Sequence, residues 1–280
     1  MKIFLTGGTG FIGSHVLKQA LAAGHSVMAL RLPGEQPRIP LPAQPNWVEG
    51  SLADDWSANL AECHALIHLA AVGVSPQPAT WEQLFQVNVE QSFKLISRAA
   101  SVGVKRLVLC GSCFEYGRSS ERYEFIPPDA PLEPTNAYAA SKAAATMVAW
   151  ALAAEAKLEL LVLRPFHVFG EGQHESNFWP ALRAAALAGE DFPMTLGEQV
   201  RDFVPVEQVA ATFIEALTRT DLRPGEPRIE NIGTGQPQTL RNFAGYWWQA
   251  WKAKGKLLPG ALPYRDNEVM RYVPKVEIEK

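Results

Sequence analysis

Tyr138 and Lys142 stand four residues apart in Tyr138-Ala139-Ala140-Ser141-Lys142. On a helix that spacing puts both side chains on one face. A free phenol, with a pKa of about 10, is too weak a base to work at neutral pH. A lysine ammonium about 4–5 Å away favours the phenolate by roughly 3–4 kcal/mol at an effective dielectric of about 20. That corresponds to about two or three pKa units and predicts a tyrosine tuned for proton transfer. The pair alone is a cheap pattern, and its bland alternative is a surface Tyr–Lys pair. Ser112 supplies the context. It closely follows the apolar run Arg106–Cys110, which in a parallel sheet places it at the carboxyl edge.

A second constellation is Thr6-Gly7-Gly8-Thr9-Gly10-Phe11-Ile12-Gly13, between a strand-like and a helix-like run. Gly7, Gly10 and Gly13 have the spacing of a turn whose backbone approaches a pyrophosphate. The phosphates then lie on the free N–H groups of the next helix, which begins at Phe11 and Ile12. The expected ligand is a dinucleotide. The second strand ends on Arg31, where NAD-binding folds usually place Asp or Glu for the ribose hydroxyls. An arginine there can fork onto a 2′-phosphate, so the expected cofactor is NADP, with NAD as the alternative. The competing reading of Arg31 is a solvated charge at a strand end.

The elements that must hold these groups alternate. Strands are predicted at Lys2–Thr6, Ser26–Arg31, Asn46–Glu49, Ala65–Leu69, Arg106–Cys110, Glu159–Arg164 and Arg228–Ile232. Helices are predicted at Phe11–Ala23, Glu82–Val102, Ala137–Lys157, Phe178–Gly189, Val206–Thr218 and Leu240–Lys254. Apolar strands each followed by a helix predict an α/β fold, a doubly wound parallel sheet of the Rossmann kind. The expected division is a dinucleotide-binding domain over residues 1–170, with 200–233 returning to it. A small substrate lobe is expected from 171–199 and 234–280, with an otherwise irregular tail.

These motifs stand in the order seen in the extended short-chain dehydrogenase/reductases, and the chain resembles that family over nearly its whole length. The resemblance rests on the glycine turn, His68-Leu69-Ala70-Ala71, Asn88-Val89, Ser112 ahead of Tyr116-Gly117, the Tyr138/Lys142 pair and Leu163-Arg164-Pro165-Phe166. It implies that Tyr138 is the acid/base, Lys142 its tuner and ribose contact, and Ser112 the group that orients a sugar oxygen. It also implies cofactor contacts from Leu69, Ala70, Ala71, Asn88, Pro165 and His167. Asn177, Arg201 and Arg265 resemble the family's contacts to the diphosphate of a nucleotide sugar. For Arg201 the alternative is an ion pair with Asp202 or another neighbour. Cys113-Phe114 replaces the Asp-Glu of the family's 4,6-dehydratases, which argues against dehydration. The stretch Cys113–Gly117 and the tail from Arg265 to Met270 look most like 4-ketoreductases of the CDP-abequose and CDP-paratose synthase type. The expected reaction is NADP(H)-dependent reduction of a 4-keto-6-deoxy sugar. The alternatives are a 4-epimerase that retains NAD and, in another class, a non-enzymatic NADP sensor.

The bulk numbers bound the partners. The chain has 280 residues, 47% hydrophobic and 20% charged, enough for a large core. A net charge of −3 gives no basic track for nucleic acid. No apolar run approaches the roughly 20 residues of a membrane helix, and the N-terminus lacks a secretory pattern, so the expected location is cytoplasmic. Cys63, Cys110 and Cys113 read as reduced thiols, and no cluster has metal-ligand spacing. Trp247, Trp248 and Trp251 read as a hydrophobic anchor for the small lobe. The segment Ala137–Lys157 is apolar on nearly every face, and only one face can pack on the sheet. With Phe85, Val89, Phe93 and Ile96 of the preceding helix it predicts a four-helix interface in a homodimer.

Overall fold

A computed structural model describes residues 1–266 and 268–276. Seven parallel strands form the main sheet: β1 (Lys2–Thr6), β2 (Ser26–Arg31), β3 (Asn46–Glu49), β4 (Ala65–His68), β5 (Arg106–Cys110), β6 (Glu159–Pro165) and β7 (Arg228–Ile232). Their spatial order is β7-β6-β5-β4-β1-β2-β3, so the direction of winding reverses between β1 and β4. Crevices for ligands open at such a reversal, beyond the carboxyl ends of the strands.

Alternation along each strand supplies two cores. Ile3 and Leu5 point to one face, where they meet Val16, Leu17 and Ala20 of α1 (Phe11–Ala22). Phe4 points to the other and meets Leu95, Ile96 and Ala99 of α2 (Ser92–Ser101) and Ala149 and Ala153 of α3 (Ala137–Glu155). All these residues are at most 2% exposed, so both faces of the sheet are closed to water and the near-continuous apolar strands are explained.

A separate core lies between α4 (Phe178–Ala188) and α6 (Leu240–Ala250), built on Leu182, Ala186, Met194, Ala244 and Trp248. Between these two helices in sequence, α5 (Val206–Glu215) packs back on the main sheet beside α1. Trp248 donates from Nε1 to the Gly255 carbonyl at 3.0 Å, and Trp247 stacks on Trp251 at 5.0 Å. These tryptophans anchor the small core.

Two sequence expectations need correction. The tail is not irregular: Gln238–Thr239 and Arg271–Tyr272 both pair with Val200–Arg201, and Leu257–Pro259 pairs with Phe192–Met194. Such two- and three-residue strands are too short to show a period of two. The segment expected as one helix from Glu82 to Val102 is also interrupted. It runs as a short helix, Trp81–Phe85, a π-helical turn, Gln86–Gln91, and then α2. π turns are rare and recur at functional sites, and this one contains Asn88. Among the described residues no helix is long and apolar enough to cross a membrane.

Candidate active site

The turn from β1 into α1 is built by close contacts that admit no side chain. A Cβ on Gly13 would lie 1.9 Å from the Gly7 carbonyl oxygen. Gly7 adopts φ +73°, and a Cβ there would lie 2.6 Å from the Ala70 amide nitrogen. The chain leaving β4 at Leu69-Ala70 therefore presses directly on the glycine turn. Gly10 is the N-cap of α1 and offers no side-chain cap, so the helix presents its first backbone N–H groups at the crevice. The geometry fits a dinucleotide pyrophosphate. Beneath the turn, His68 bridges Thr6 Oγ1 at 2.6 Å and Ser92 Oγ at 2.8 Å. Burial, reinforced by the charge of Lys142, pushes His68 down to about 3, so it serves as a neutral strut.

Asn88 is engaged with the loop after β4 and with α3. It is 2% exposed, its Oδ1 accepts from the Val72 amide at 2.9 Å, and its Nδ2 donates to the Val72 carbonyl and to Ser141 Oγ. Every amide atom is engaged in fixing the loop after β4 against α3. These bonds give Asn88 a positioning role for the loop after β4.

Arg31 is not the free fork that the sequence predicted. Its Nη2 lies 2.8 Å from Glu49 Oε1, its Nη1 donates to the Glu35 carbonyl, and its guanidinium covers the Trp47 ring at 4.6 Å. Glu49 ends the neighbouring strand β3, in register with Arg31. Sequence reasoning missed a carboxylate nearby: Glu35 Oε2 accepts from Thr9 of the glycine turn at 2.8 Å and from the Leu32 amide at 3.3 Å. The signal was an acidic residue four positions past the strand end, hidden in a Pro- and Gly-rich loop.

At the other end of the crevice, Ser112 opens a 3₁₀ turn, Cys113–Tyr116, which follows β5. Its Oγ accepts from the Phe114 amide at 3.2 Å, which leaves the hydroxyl proton free to donate. That hydroxyl lies beside the Tyr138 phenol and acts against the upward shift of its pKa. Asn136 caps α3 by accepting from the Ala139 amide at 2.9 Å and so fixes the first turn, which carries Tyr138. Lys142 is buried and donates to the Cys110 carbonyl at 2.6 Å. Its ammonium is thus aimed at the end of β5. The expected lowering of Tyr138 is not found. Burial pushes the phenol well above its ordinary value, and the neighbouring Cys110, Glu115 and Cys113 push in the same direction. Burial likewise pushes the Cys110 thiol up to about 11 and the Cys113 thiol up to about 12, so both stay protonated at neutral pH.

The residues expected at the substrate end are only partly assembled. Asn177 is the N-cap of α4, and its side chain makes no capping hydrogen bond. Arg201 is 7% exposed, and its Nη2 lies 2.6 Å from Glu268 Oε1 and 2.7 Å from the Val269 carbonyl oxygen. Asp202 turns elsewhere, accepting from Thr234 and Gly235 backbone amides, so the ion pair of Arg201 is with Glu268 instead. Arg265 is exposed, in the turn that brings Glu268 to Arg201. Pro165 ends β6, and His167 stands edge-on to Phe114 at 5.9 Å and to Phe203 at 6.2 Å. Its Nδ1 is buried without a partner, and burial, with the charge of Arg201, holds the ring neutral. Among the described residues no group of three or more His, Cys, Asp and Glu side chains is placed to hold a metal ion.

Comparison with known proteins agrees with this arrangement. The profile of the NAD dependent epimerase/dehydratase family matches residues 3–233. The chain belongs to that family, the extended short-chain dehydrogenase/reductases. It is therefore an NAD(P)-dependent enzyme. It is 28% identical to a UDP-glucose 4-epimerase of Corynebacterium glutamicum, across 86% of this chain and 78% of the relative. It is 24% identical to the CDP-abequose synthase of Salmonella muenchen, across 96% and 87%. The solved complex of MoeE5 with UDP-glucuronic acid and NAD superposes with a TM-score of 0.84 at 27% identity, covering 99% of this chain and 90% of that one.

The raised phenol can be checked in the free protein. A tyrosine of ordinary pKa is half ionised at pH 10. Because Tyr138 is shifted upward, the ultraviolet difference between wild type and Tyr138→Phe should contain no phenolate signal at that pH. A phenolate signal there would restore the lysine-tuned tyrosine expected from spacing alone.

Proposed function

We propose that this enzyme reduces the 4-keto group of a nucleotide-activated 4-keto-6-deoxy sugar. The observation that carries the reading is the convergence of Ser112, just beyond the end of β5, with Tyr138 and Lys142 on one face of α3, where Lys142 reaches the Cys110 carbonyl at 2.6 Å. A phenol held in its acid form is matched to delivering a proton to a keto oxygen. Removing one from a C4 hydroxyl would first require the phenolate. When bound on the glycine turn, the nicotinamide supplies the hydride. Ser112 donates to the sugar oxygen and keeps it beside Tyr138, and Tyr138 gives up its proton. Lys142 then offers its positive charge to the phenolate left behind, four residues away on the same helix face. Cys113 and Phe114 stand where proton abstraction from the sugar would need carboxylates. The carboxylate that follows them, Glu115, is fully buried against Arg164. This argues against dehydration. The diphosphate is assigned to the N-terminus of α4 at Asn177 and to Arg201 and Arg265.

A second reading, a 4-epimerase that retains NAD, is favoured by one observation: the Arg31 fork is already closed on Glu49. With Glu35 beside Thr9, the adenosine end suits ribose hydroxyls better than a 2′-phosphate. On either reading we assign NAD(H) as the cofactor bound without further change, in place of the NADP expected from Arg31 alone.

We also propose a homodimer. Ala139, Ala143, Ala149 and Ala153 of α3 face inward, while Met147 and Trp150 remain 47% and 36% exposed. Phe93 of α2 is 41% exposed and Trp81 and Phe85 continue the apolar surface, which the small lobe leaves uncovered. The occupant is the same face of a second copy, related by a two-fold axis.

Three outcomes are expected. Tyr138→Phe should lower turnover of a keto-sugar nucleotide by about 10²–10⁴-fold while NADH binding is kept; near-wild-type turnover would remove Tyr138 from the mechanism. Glu49→Gln should free Arg31 and tighten NADP(H) binding about tenfold, the scale of one charge-assisted hydrogen bond. Unchanged NADP(H) affinity would show that the Arg31–Glu49 pair does not set cofactor choice. Light scattering should report twice the 30.7 kDa chain mass; a monomer would leave the apolar face of α3 without the assigned partner.

A further inference from the structure

Glu115 and Arg164 form a fully buried ion pair beneath the catalytic crevice, at 0% and 1% exposure. Burying two charges costs several kcal/mol per ion, and a hydrophobic pair of similar volume serves a core as well or better. The geometry shows what this pair holds. Glu115 Oε1 accepts the Ser112 backbone N–H at 2.7 Å. Its Oε2 accepts from Arg164 Nε at 2.9 Å and from Thr146 Oγ1 at 3.0 Å. Thr146 lies on α3 one turn beyond Lys142, on the same helix face as Tyr138 and Lys142. One carboxylate therefore touches the turn that carries Ser112, the helix that carries Tyr138 and Lys142, and strand β6.

Arg164 anchors the far side. Its Nη1 donates to the Pro128 carbonyl at 3.1 Å, and its guanidinium covers the Tyr116 ring at 4.7 Å. Tyr116 in turn donates to Asn231 Oδ1 on β7 at 2.6 Å. The space is reserved for the carboxylate: a Cβ on Gly111 would lie 2.7 Å from Glu115 Oε1 and 2.9 Å from Arg164 Cγ. The bond from the Ser112 amide to Glu115 and that from the Phe114 amide to Ser112 Oγ form a reciprocal cap on the 3₁₀ turn. This cap occupies a lone pair of the serine oxygen and leaves its proton as the group offered to substrate.

We propose that Glu115, backed by Arg164 and joined to α3 through Thr146, is the positioning residue that sets Ser112 against Tyr138. The proposal rests on the reading of Ser112, Tyr138 and Lys142 as the reacting set. Glu115 touches no substrate in this account, and it acts through the serine-bearing turn. Its charge also bears on Tyr138, together with Cys110 at the end of β5 and Cys113 in the turn, while Lys142 on α3 donates to the Cys110 carbonyl and Arg164 stands behind Glu115.

The test uses Glu115→Gln, Thr146→Val and Tyr138→Phe in the full chain, each checked for folding by near-ultraviolet circular dichroism. Glu115→Gln should lower kcat about a hundredfold, the scale of an ångström-sized misplacement, with cofactor affinity unchanged. The loss should fall in kcat with KM little changed, because the Ser112 turn is displaced from Tyr138 while the substrate contacts stay in place. A purely structural role predicts lost stability with kcat of the folded protein unchanged. Thr146→Val keeps the ion pair and cuts the link to α3, and it should lower kcat about tenfold. A folded Glu115→Gln variant with wild-type kcat would overturn the proposal. If that variant does not fold, wild-type kcat in Thr146→Val overturns it instead. Retained turnover in Tyr138→Phe would overturn the functional reading and not the placement of Glu115.

Discussion

Parallel pairing of β1 with β4 is the constraint on which the site depends. It brings Thr6 into register with His68, so the chain leaving β4 meets the chain leaving β1 at backbone distance. Gly7 can then touch Leu69 and Ala70 only because neither side of the contact carries a side chain there. The same edge delivers Ser112 after β5 and His167 after β6. Two buried cores on either side of the sheet hold these exits in fixed relation. Chemistry placed on the loops is therefore positioned by strands.

The reacting end is governed by burial. Desolvation raises Tyr138, Cys110 and Cys113 alike, so all three stay protonated at neutral pH. Lys142 is oriented by the β5 carbonyl end, and Ser112 by the reciprocal cap of its turn. At the opposite end, charge is balanced locally. Arg31 is met by Glu49, and Arg201 by Glu268. The second pairing means that a diphosphate reaching Arg201 must compete with a carboxylate of the chain's own tail.

The seven main strands and the helices beside them were legible because apolar alternation and glycine punctuation are local signals. Lys2–Thr6, Ser26–Arg31 and Arg106–Cys110 needed no tertiary information. The glycine turn, Ser112, Tyr138 and Lys142 were legible as a set because their spacing and strand context agree. What escaped was pairwise and long-range. No local pattern couples Arg31 to Glu49, Arg201 to Glu268 or Glu115 to Arg164, whose partners lie 18, 67 and 49 residues apart. The π-helical turn around Asn88 escaped because its composition is that of an ordinary helix. The direction of the Tyr138 shift was misread because sequence shows the nearby lysine and does not show desolvation.

The central claim is transfer of hydrogen to C4 of the sugar. It is tested most directly by supplying nicotinamide cofactor deuterated at C4 with a 4-keto-6-deoxy nucleotide sugar and locating the label by mass spectrometry and NMR. The account predicts deuterium at C4 of the product sugar, one per cofactor oxidised. A product with only solvent hydrogen at C4, or with label at C6, would contradict it.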